Sequence, residues 1–213
     1  MNEPNVIILR NSIPLAKGGS RFVFRHPENL GHLIKVIRPE VIEKRFGAGA
    51  SWYKRLRRFG KYLSYRREVD EFLAVHAAND AAPDFLQHIL GFAETDLGLG
   101  LVIEGVFRED GELAPTLGDL LHDHLYNEKI ERALEHCFAE ILSCPVVLSD
   151  LNVGNFVYDE VEQRFIMIDG LGNANSFSIK GFSARANRKA KLKRFERFRG
   201  RIARYKKQYH YSD

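Results

Sequence analysis

Three polar residues in the second half of the chain have the types and spacing that metal-assisted group transfer requires. Asp150 and Asn155 lie five residues apart around a short loop, and Asp169 follows 14 residues after Asn155. A predicted hairpin between Asn155 and Asp169 would place these two side chains next to each other. An amide oxygen and a carboxylate are ligands that suit Mg²⁺. Asp150, on the loop, would be left to orient a hydroxyl nucleophile or accept its proton, as phosphoryl transfer needs.

Each of these residues taken alone has a simpler interpretation, because Asp and Asn are frequent turn formers and helix caps. Their joint spacing, next to three short apolar runs, favours chemistry over turn formation. A charged turn at 159–163 links the last two runs and completes the predicted hairpin. The three runs cover residues 145–148, 155–158 and 164–168.

Further apolar runs in the first half of the chain predict an antiparallel β-sheet. A glycine turn, Gly18, Gly19 and Ser20, interrupts one run and predicts a hairpin there. Lys35 lies inside another run, where it is either a functional cation or a charge that protects an edge strand from pairing. The runs cover residues 6–9, 15–24, 33–37, 89–93 and 99–104.

Helical periodicity predicts a helix at 61–79 and two more helices in the second half, so the chain is expected to be α+β. Glu68 lies at the border of the apolar face of the first helix, closer to that face than Glu71 does. Thr116 and Asp119 predict a capped helix at 116–124. The apolar face of the first helix is predicted to hold Tyr65, Val69, Phe72, Leu73 and His76. The other helix of the second half is predicted to have an apolar face that holds Ile130, Ala133, Leu134, Cys137, Phe138 and Ile141.

Basic residues are concentrated in two segments of an otherwise acidic chain. Residues 44–67 hold nine Lys and Arg without an acid, and residues 185–207 hold twelve with one acid, Glu196. The rest of the chain has 11 basic and 27 acidic residues. Such segments are a solvated helical face, a contact for an acidic partner or the body of the same protein, or a surface for nucleic acid or anionic membrane. An apolar stripe in the second segment, Leu192, Phe195, Phe198 and Ile202, favours docking of that helix on the body.

Composition indicates a globular protein with enough chain for a hydrophobic core. The chain has 213 residues, of which 45% are hydrophobic. It has no apolar stretch of 18 residues and no recognisable signal peptide, so a cytoplasmic location is expected. Cys137 and Cys144 lie among apolar residues and are predicted to be buried thiols.

The polar triplet resembles the catalytic loop of protein kinases, Asp-x4-Asn, followed by their metal-binding Asp. The resemblance implies that Lys35 contacts the ATP phosphates and that Glu68 holds this lysine. It also implies that Gly18, Gly19 and Ser20 form the phosphate-covering loop, and that the segment 103–106, with Glu104 and Val106, meets adenine. Two of these positions also allow simpler interpretations, a plain hairpin turn for the glycines and a surface ion pair for Glu68.

More narrowly, the chain resembles the YrbL family of bacterial proteins, which is named for the PhoP regulatory network. The resemblance runs from about Leu15 to Arg199. Departures from typical kinases are Leu148 and Ser149 where His and Arg are common, Gly170 where Phe is common, and the lack of a long activation segment after Gly172. The resemblance is carried by residues 26–29, Arg67 and Glu68, residues 94–100, Asp110 and Gly111, Thr116 and Leu117, and residues 169–172.

The resemblance implies a bilobal protein-kinase-like fold, with residues 1–105 as a sheet lobe carrying a basic helical insertion at 44–67, and 106–213 as a reduced, mostly helical lobe. The expected function is ATP- and Mg²⁺-dependent phosphotransfer to an unknown hydroxyl, on a protein, a small molecule or an envelope sugar. Two alternatives stay open. One is a nucleotide-binding pseudokinase that regulates a partner protein, and the other is a basic nucleic-acid or membrane binder on a kinase-like scaffold.

Overall fold

The structure is a computed structural model, and it describes residues 6–49, 58–79, 83–172 and 184–208. The chain divides into two compact units. The first contains Met1–Arg66 and His88–Gly105, and the second contains Arg67–Gln87 and Val106–Asp213. One border lies between Gly105 and Val106, where the two predicted lobes meet. Residues 67–87, which were predicted to belong to the first lobe, lie in the second unit.

The first unit is built on a five-stranded antiparallel sheet with the order β1-β2-β3-β5-β4. Together with the helices, it confirms the predicted α+β class. Short turns close the hairpins of this sheet; the first, for example, is closed by a hydrogen bond of 2.9 Å from the amide of Gly18 to the carbonyl of Arg21. The strands are β1 (Ala16–Lys17), β2 (Arg21–Arg25), β3 (His32–Ile37), β4 (Ile89–Thr95) and β5 (Gly98–Glu104).

Strand β3 is buried on both faces. Ile34 and Val36 belong to a small hydrophobic cluster with Leu9, Phe24 and Val102. Because successive side chains of a strand point to opposite faces, Lys35 lies on the face opposite to this cluster.

The predicted strand at 6–9 is wrong, because only Ile7 pairs with the sheet, through an isolated bridge to Thr95. The backbone here bonds to a side chain instead: the amide of Leu9 donates to the carboxylate of Asp96 over 2.7 Å, and that of Arg10 donates to it over 3.2 Å. Leu9 is buried, so the apolar run still serves the core. Beyond Ile7, a side-chain acceptor thus replaces the ladder of hydrogen bonds that would define a strand.

Helix α1 (Pro39–Phe46), a 3-10 turn (Gly60–Tyr62) and helix α2 (Leu63–Asn79) follow β3 along the chain. The predicted basic helical insertion is helical at its two ends, and its residues 50–57 lie outside the described residues. The predicted face of α2 is partly wrong. Leu73 is 58% exposed, whereas Glu68 and Val75 are buried. The buried stripe is therefore rotated toward Glu68, which had been placed at its border.

In the part of the chain that the structure describes, the second unit contains the rest of α2, three further α-helices and a two-stranded hairpin. Thr116 and Asp119 form the predicted capping box of α3. Helix α4 has the predicted amphipathic pattern and is capped by Asn127. The elements are α3 (Leu117–His122), α4 (Glu128–Ser143), β6 (Phe156–Asp159), β7 (Arg164–Met167) and α5 (Ala184–Gln208).

Helix α5 completes the core of the second unit. Phe195 stacks on Phe138 of α4 with ring centroids 4.2 Å apart, and Phe198 lies 5.4 Å from Phe156 of β6. Phe195, Phe198 and Ile202 are buried, which confirms docking of this stripe, but Leu192 is 43% exposed. Lys191 is buried in its place.

Two further expectations from the sequence concern this unit and the membrane. Cys137 and Cys144 are reduced thiols, of which Cys137 is buried and Cys144 only half-buried. Within the described parts of the chain, every helix is too short or too polar to cross a membrane.

Candidate functional site

The β6–β7 hairpin brings Asn155 and Asp169 together. Phe156 pairs with Met167 in the hairpin, and the amide of Ile168 donates to the carbonyl of Asn155 over 2.9 Å. Asn155 lies just before β6 and Asp169 lies just after β7, so both residues are at the same end of the hairpin. The hairpin thus places the two residues near each other along the backbone, and their sharing of one cation stays a prediction.

Gly170, the residue that follows Asp169, packs closely against Asp150 and Asn155. The amides of Ser149 and Asp150 donate to the carbonyl of Gly170 over 2.8 Å and 3.2 Å. Gly170 has φ +86°, and a Cβ there would overlap the carbonyl oxygen of Asp150 and lie 2.9 Å from Nδ2 of Asn155. Only glycine fits this position. Close packing against Asp150 and Asn155, together with the positive φ, explains why this position is glycine.

The side chains of the triplet are held differently. Nδ2 of Asn155 donates to the carbonyl of Asp150 over 3.3 Å, so the amide oxygen Oδ1 is the group left for a cation. Oδ1 of Asp169 accepts from the amide of Gly170 over 2.7 Å, which fixes the orientation of this half-buried carboxylate. Asp150 is exposed. The exposed carboxylate of Asp150 is thus held differently from the side chains of Asn155 and Asp169, each of which has a hydrogen bond that orients it.

The loop between Asp150 and Asn155 is supported by its own residues. Oδ1 of Asn152 accepts from the amide of Gly154 over 3.2 Å and caps a 3-10 turn (Val153–Asn155). Leu151 is 2% exposed and anchors the loop in the core of the second unit. A short loop with a buried anchor and a capped turn restricts where the Asp150 carboxylate can lie.

The segment after Asp169 packs closely against Arg67, which is the first residue of α2 in the second unit. Gly172 has φ +79°, and a Cβ there would lie 2.8 Å from Cβ of Arg67. The amide of Gly172 donates to the carbonyl of Val147 over 2.8 Å, and Leu171 bridges to Leu148. The strand-like segment before Asp150 and the segment after Asp169 thus support each other.

Three buried or half-buried polar side chains hold the segment that leads to Asp150, and sequence reasoning missed them. The carboxylate of Glu71, on α2, accepts from the amide of Val147 over 2.7 Å.

The other two side chains belong to α5. Asn187 donates to the carbonyls of Pro145 and Val146 over 2.8 Å and 3.1 Å. The ammonium of Lys191 donates to the carbonyls of Ile141 and Cys144 over 2.7 Å and 2.5 Å. The available signal was helical phase, because Asn187 and Lys191 precede Phe195 at intervals of four on one face of α5.

Burial shifts the pKa values of two of these groups. It raises the pKa of Glu71 to about 7; the amide of Val147 and Lys191 oppose the rise, and Asp70 adds to it. Burial lowers the pKa of Lys191 to about 8, against the attraction of Cys144 and Glu71. Both shifts follow from the cost of desolvating a charge.

In the first unit, Lys35 lies in a central strand and is 4% exposed. It pairs with Val23 of β2 on one side and Leu101 of β5 on the other, and its carbonyl accepts from the hydroxyl of Tyr65 over 2.8 Å. The alternative of an edge-strand lysine is therefore wrong. A buried ammonium is costly unless anionic or polar groups compensate it, which favours a specific role for this side chain.

The predicted phosphate-covering loop is a tight turn between β1 and β2. Arg38 supports it by donating from Nη1 to the carbonyl of Gly18 over 3.0 Å and from its amide to the carbonyl of Ser20 over 3.0 Å. Gly18 and Gly19 are exposed, and a Cβ on Gly19 would meet nothing within 4 Å.

The remaining predicted residues lie in different units. Glu68 is 7% exposed and belongs to the second unit, so the alternative of a surface ion pair is wrong. Its predicted pairing with Lys35 of the first unit stays a prediction. Glu104 is exposed at the end of β5, with Oε2 lying 3.0 Å from Nδ1 of His88. Val106 begins the next stretch of the second unit, and its carbonyl accepts from the amide of Ala114 over 3.0 Å.

Comparison with known proteins gives partial structural likenesses and one family. A WbdD structure with the kinase inhibitor LY294002 has a TM-score of 0.45 at 16% identity, covering 72% of this chain and 31% of that chain. A 2.2 Å structure of WbdD has a TM-score of 0.46 at 16% identity, covering 75% and 32%. The apo form of PpkA-294 has a TM-score of 0.48 at 20% identity, covering 74% and 56%. This chain thus spans between about a third and a little over half of those chains.

No curated protein matches the sequence. The family described as PhoP regulatory network protein YrbL matches residues 7–203, which is most of the chain. The chain belongs to this YrbL family.

Proposed function

We propose that the protein is an ATP- and Mg²⁺-dependent phosphotransferase that acts on a hydroxyl group. One observation carries the proposal: the interlocked loop in which Gly170 joins the backbone of Asp150 to Asn155, beside Asp169. Turn formers and caps do not require such convergence from three separate places in the sequence. The sequence resemblance to the kinase catalytic loop supports the same function.

The donor set fits magnesium. Asn155 and Asp169 supply an amide oxygen and a carboxylate, and Mg²⁺ is commonly held by one or two such protein ligands together with substrate phosphates and water. Within the described residues, no three His, Cys, Asp or Glu side chains gather into a metal site, so this pair is the set proposed. Bound there, the ion would neutralise phosphate charge during transfer.

Asp150 is proposed as the carboxylate that orients the attacking hydroxyl. The hydroxyl oxygen forms a bond to the γ-phosphorus, the bond from that phosphorus to the bridging oxygen of ADP breaks, and the hydroxyl proton passes to the Asp150 carboxylate. Exposure leaves this carboxylate accessible to an acceptor substrate, while the hydrogen bonds of its backbone keep it in place. The acceptor is a protein, a small molecule or a sugar.

Nucleotide-binding roles follow the family resemblance residue by residue. Lys35 is assigned to the ATP phosphates, Glu68 to the support of Lys35, and Glu104 and Val106 to adenine. The phosphate-covering turn is assigned to Gly18, Gly19 and Ser20. The burial of Lys35 in a central strand supports its assignment, because a lysine that only protects a sheet edge would lie exposed on an edge strand.

The test compares Asp169→Ala, Asp150→Ala and the control Asp123→Ala, an exposed carboxylate at the end of α3. Calorimetry with a non-hydrolysable ATP analogue and Mg²⁺ is expected to show no binding to Asp169→Ala and wild-type affinity for Asp150→Ala. With radiolabelled ATP, Asp150→Ala is expected to lose on the order of 10²–10⁴ in turnover rate. The control should match wild type in both assays.

The outcomes separate three functions. Binding without any transfer or hydrolysis by the wild type would favour a nucleotide-binding pseudokinase that regulates a partner. Absence of nucleotide binding with and without Mg²⁺ would refute the proposed function. Binding of nucleic acid or anionic vesicles instead, with affinity that falls steeply with salt, would favour the basic binder.

A further inference from the structure

The basic residues of helix α5 have distinct roles on different sides of the helix. Facing α4, the guanidinium of Arg199 pairs with Glu135, and Nζ of Lys206 lies 3.4 Å from Glu131. On another side, Arg194 and Arg201 reach the loop that carries Asp150. The segment that looked uniformly basic in sequence is therefore divided into a side that pairs with acids and a side that binds backbone carbonyls.

The two arginines grip the residues on either side of Asp150. Nη1 of Arg194 donates to the carbonyl of Ser149 over 2.5 Å, and Nη2 of Arg201 donates to the carbonyl of Leu151. The carbonyl between them, that of Asp150, accepts from Nδ2 of Asn155. Three consecutive carbonyls are thus held by three side chains, two from α5 and one from the proposed metal site.

The grip is rigid because both arginines come from one docked helix. They lie seven residues apart, about two helical turns, which places them on the same side of α5. Phe195 and Phe198, in the same stretch, are buried in the core. The guanidinium of Arg201 also lies over the ring of Phe198, with its central carbon 5.3 Å from the ring centroid. Hydrogen bonds from a charged donor are stronger than neutral ones.

We propose that Arg194 and Arg201 are positioning residues that fix the Asp150 carboxylate for transfer, so that α5 is part of the catalytic apparatus. The proposal rests on the proposed function of Asp150. Neither arginine needs to touch nucleotide or acceptor. Because small displacements of a catalytic group can cost about 10² in rate, loss of the grip should lower kcat and leave nucleotide affinity unchanged.

The first experiment measures Mg²⁺-dependent ATP turnover by the full chain with Arg194→Ala and Arg201→Ala. Each is expected to lower kcat by about tenfold to a hundredfold with KM for ATP within about twofold of wild type. Arg194→Lys should recover part of the loss, because it keeps the charge but not the planar fork. Lys193→Ala, the exposed neighbour of Arg194, is the matched control and should keep wild-type turnover.

A double-mutant cycle with Asp150 distinguishes positioning from general stabilisation. If the arginines act through Asp150, adding Arg194→Ala to Asp150→Ala should cause no further loss of turnover. An equal loss in both backgrounds, a change in KM alone, or a wild-type rate in both arginine variants would overturn the proposal.

Hydrogen exchange provides a readout that does not depend on catalysis. Arg194→Ala should accelerate exchange of the Ser149 and Asp150 amides, which donate to Gly170, while Lys193→Ala should not. If the wild type has no turnover, the proposed phosphotransfer fails, and the exchange data still decide whether the grip exists. Unchanged exchange in Arg194→Ala would overturn it, whatever the enzyme does.

Discussion

Two pairs of glycines lie in the segments proposed to take part in the chemistry, and the structure shows that they are glycines for different reasons. Gly170 and Gly172 have φ of +86° and +79°, and a Cβ at either would collide with backbone or with Arg67. Gly18 and Gly19 lie outside the left-handed region, and a Cβ on Gly19 would point into open space. The first pair is required by the protein's own packing. The second pair is not required by such packing, and close approach of a phosphate to its backbone stays a prediction.

The comparison indicates how the two units prepare for function. The Asp150 loop is fixed by contacts within the protein, through glycine packing, buried polar side chains and the arginines of α5. The turn of Gly18 and Gly19 has few supports of its own, chiefly Arg38. Under the proposed function, a preorganised Asp150 loop would favour precise placement of the acceptor, whereas the turn at Gly18 and Gly19 leaves space against its backbone.

Gly170→Ala should give the largest effect. The new Cβ would overlap the carbonyl of Asp150 and force a positive φ on alanine, so we expect a loss of about 3–5 kcal/mol in the free energy of unfolding. ATP turnover should fall to background. Urea denaturation and the radiolabelled ATP assay measure the two effects.

Gly200→Ala is the control for Gly170→Ala. Gly200 lies within α5, where a Cβ would meet nothing within 4 Å. Alanine there should raise stability by roughly 0.5–1 kcal/mol, because glycine is the poorer helix former. A Gly170→Ala protein as stable as wild type would remove the packing explanation.

Asn187→Ala should have the next largest effect. Its side-chain amide is buried and satisfies the carbonyls of Pro145 and Val146, so removal leaves acceptors without this donor. A loss of about 2–3 kcal/mol is expected from urea denaturation. Arg185→Ala, an exposed position on the same helix, should change stability by less than about 0.5 kcal/mol. Equal stability of the two variants would show that Asn187 does not help to fix the segment before Asp150.

Glu71→Gln should change the pH dependence of stability. Because the folded-state pKa of Glu71 is raised from 4.5 to about 7, its contribution to stability is present below pH 4.5 and is lost as pH rises through 7. The free energy of unfolding of wild type should therefore fall by on the order of 1–2 kcal/mol between pH 5 and 7.5 relative to that of Glu71→Gln. The side-chain amide oxygen of the glutamine can still accept from the backbone amide of Val147. Urea denaturation at both pH values measures the difference.

The pH range and the control isolate Glu71. Burial lowers the pKa of Lys191 to about 8, so this group makes the folded protein more stable as pH rises above 8. The measurement stays below pH 8 to exclude this opposite effect. Glu128→Gln, at the exposed start of α4, should keep the wild-type decline. Parallel curves for wild type and Glu71→Gln would contradict the assigned shift.

The sequence predicted what depends on local pattern. The hairpin, the capping box at Thr116 and the amphipathic α4 follow from periodicity and turn chemistry over short stretches. The inward face of α2 and the partners of Lys191 did not follow. Periodicity counts only apolar residues, whereas Glu68, Asn187 and Lys191 are buried polar groups. Partners of Asn187 and Lys191 are carbonyls more than 40 residues away, which no local window contains.

Local pattern also could not separate the two glycine pairs. Gly170 needs glycine because of a contact with Asp150, 20 residues earlier, and Gly172 because of a contact with Arg67. Gly18 and Gly19 look equally specific in sequence but meet no such neighbour. Only three-dimensional packing distinguishes a glycine that is required by the fold from one that is available to a ligand.

Gly19→Ala should have the smallest effect on folding and so gives the sharpest test of the comparison. Since the new methyl group meets no atom within 4 Å, stability should stay within about 0.5–1 kcal/mol of wild type, with a small gain from the less flexible unfolded chain. If phosphate approaches this backbone, the methyl group should block it and weaken binding of the ATP analogue about tenfold. Calorimetry with Gly200→Ala as the control separates the two effects. Wild-type affinity in Gly19→Ala would make the turn a plain hairpin connection, and the nucleotide assignment would then rest on Lys35 and the Asp150 loop.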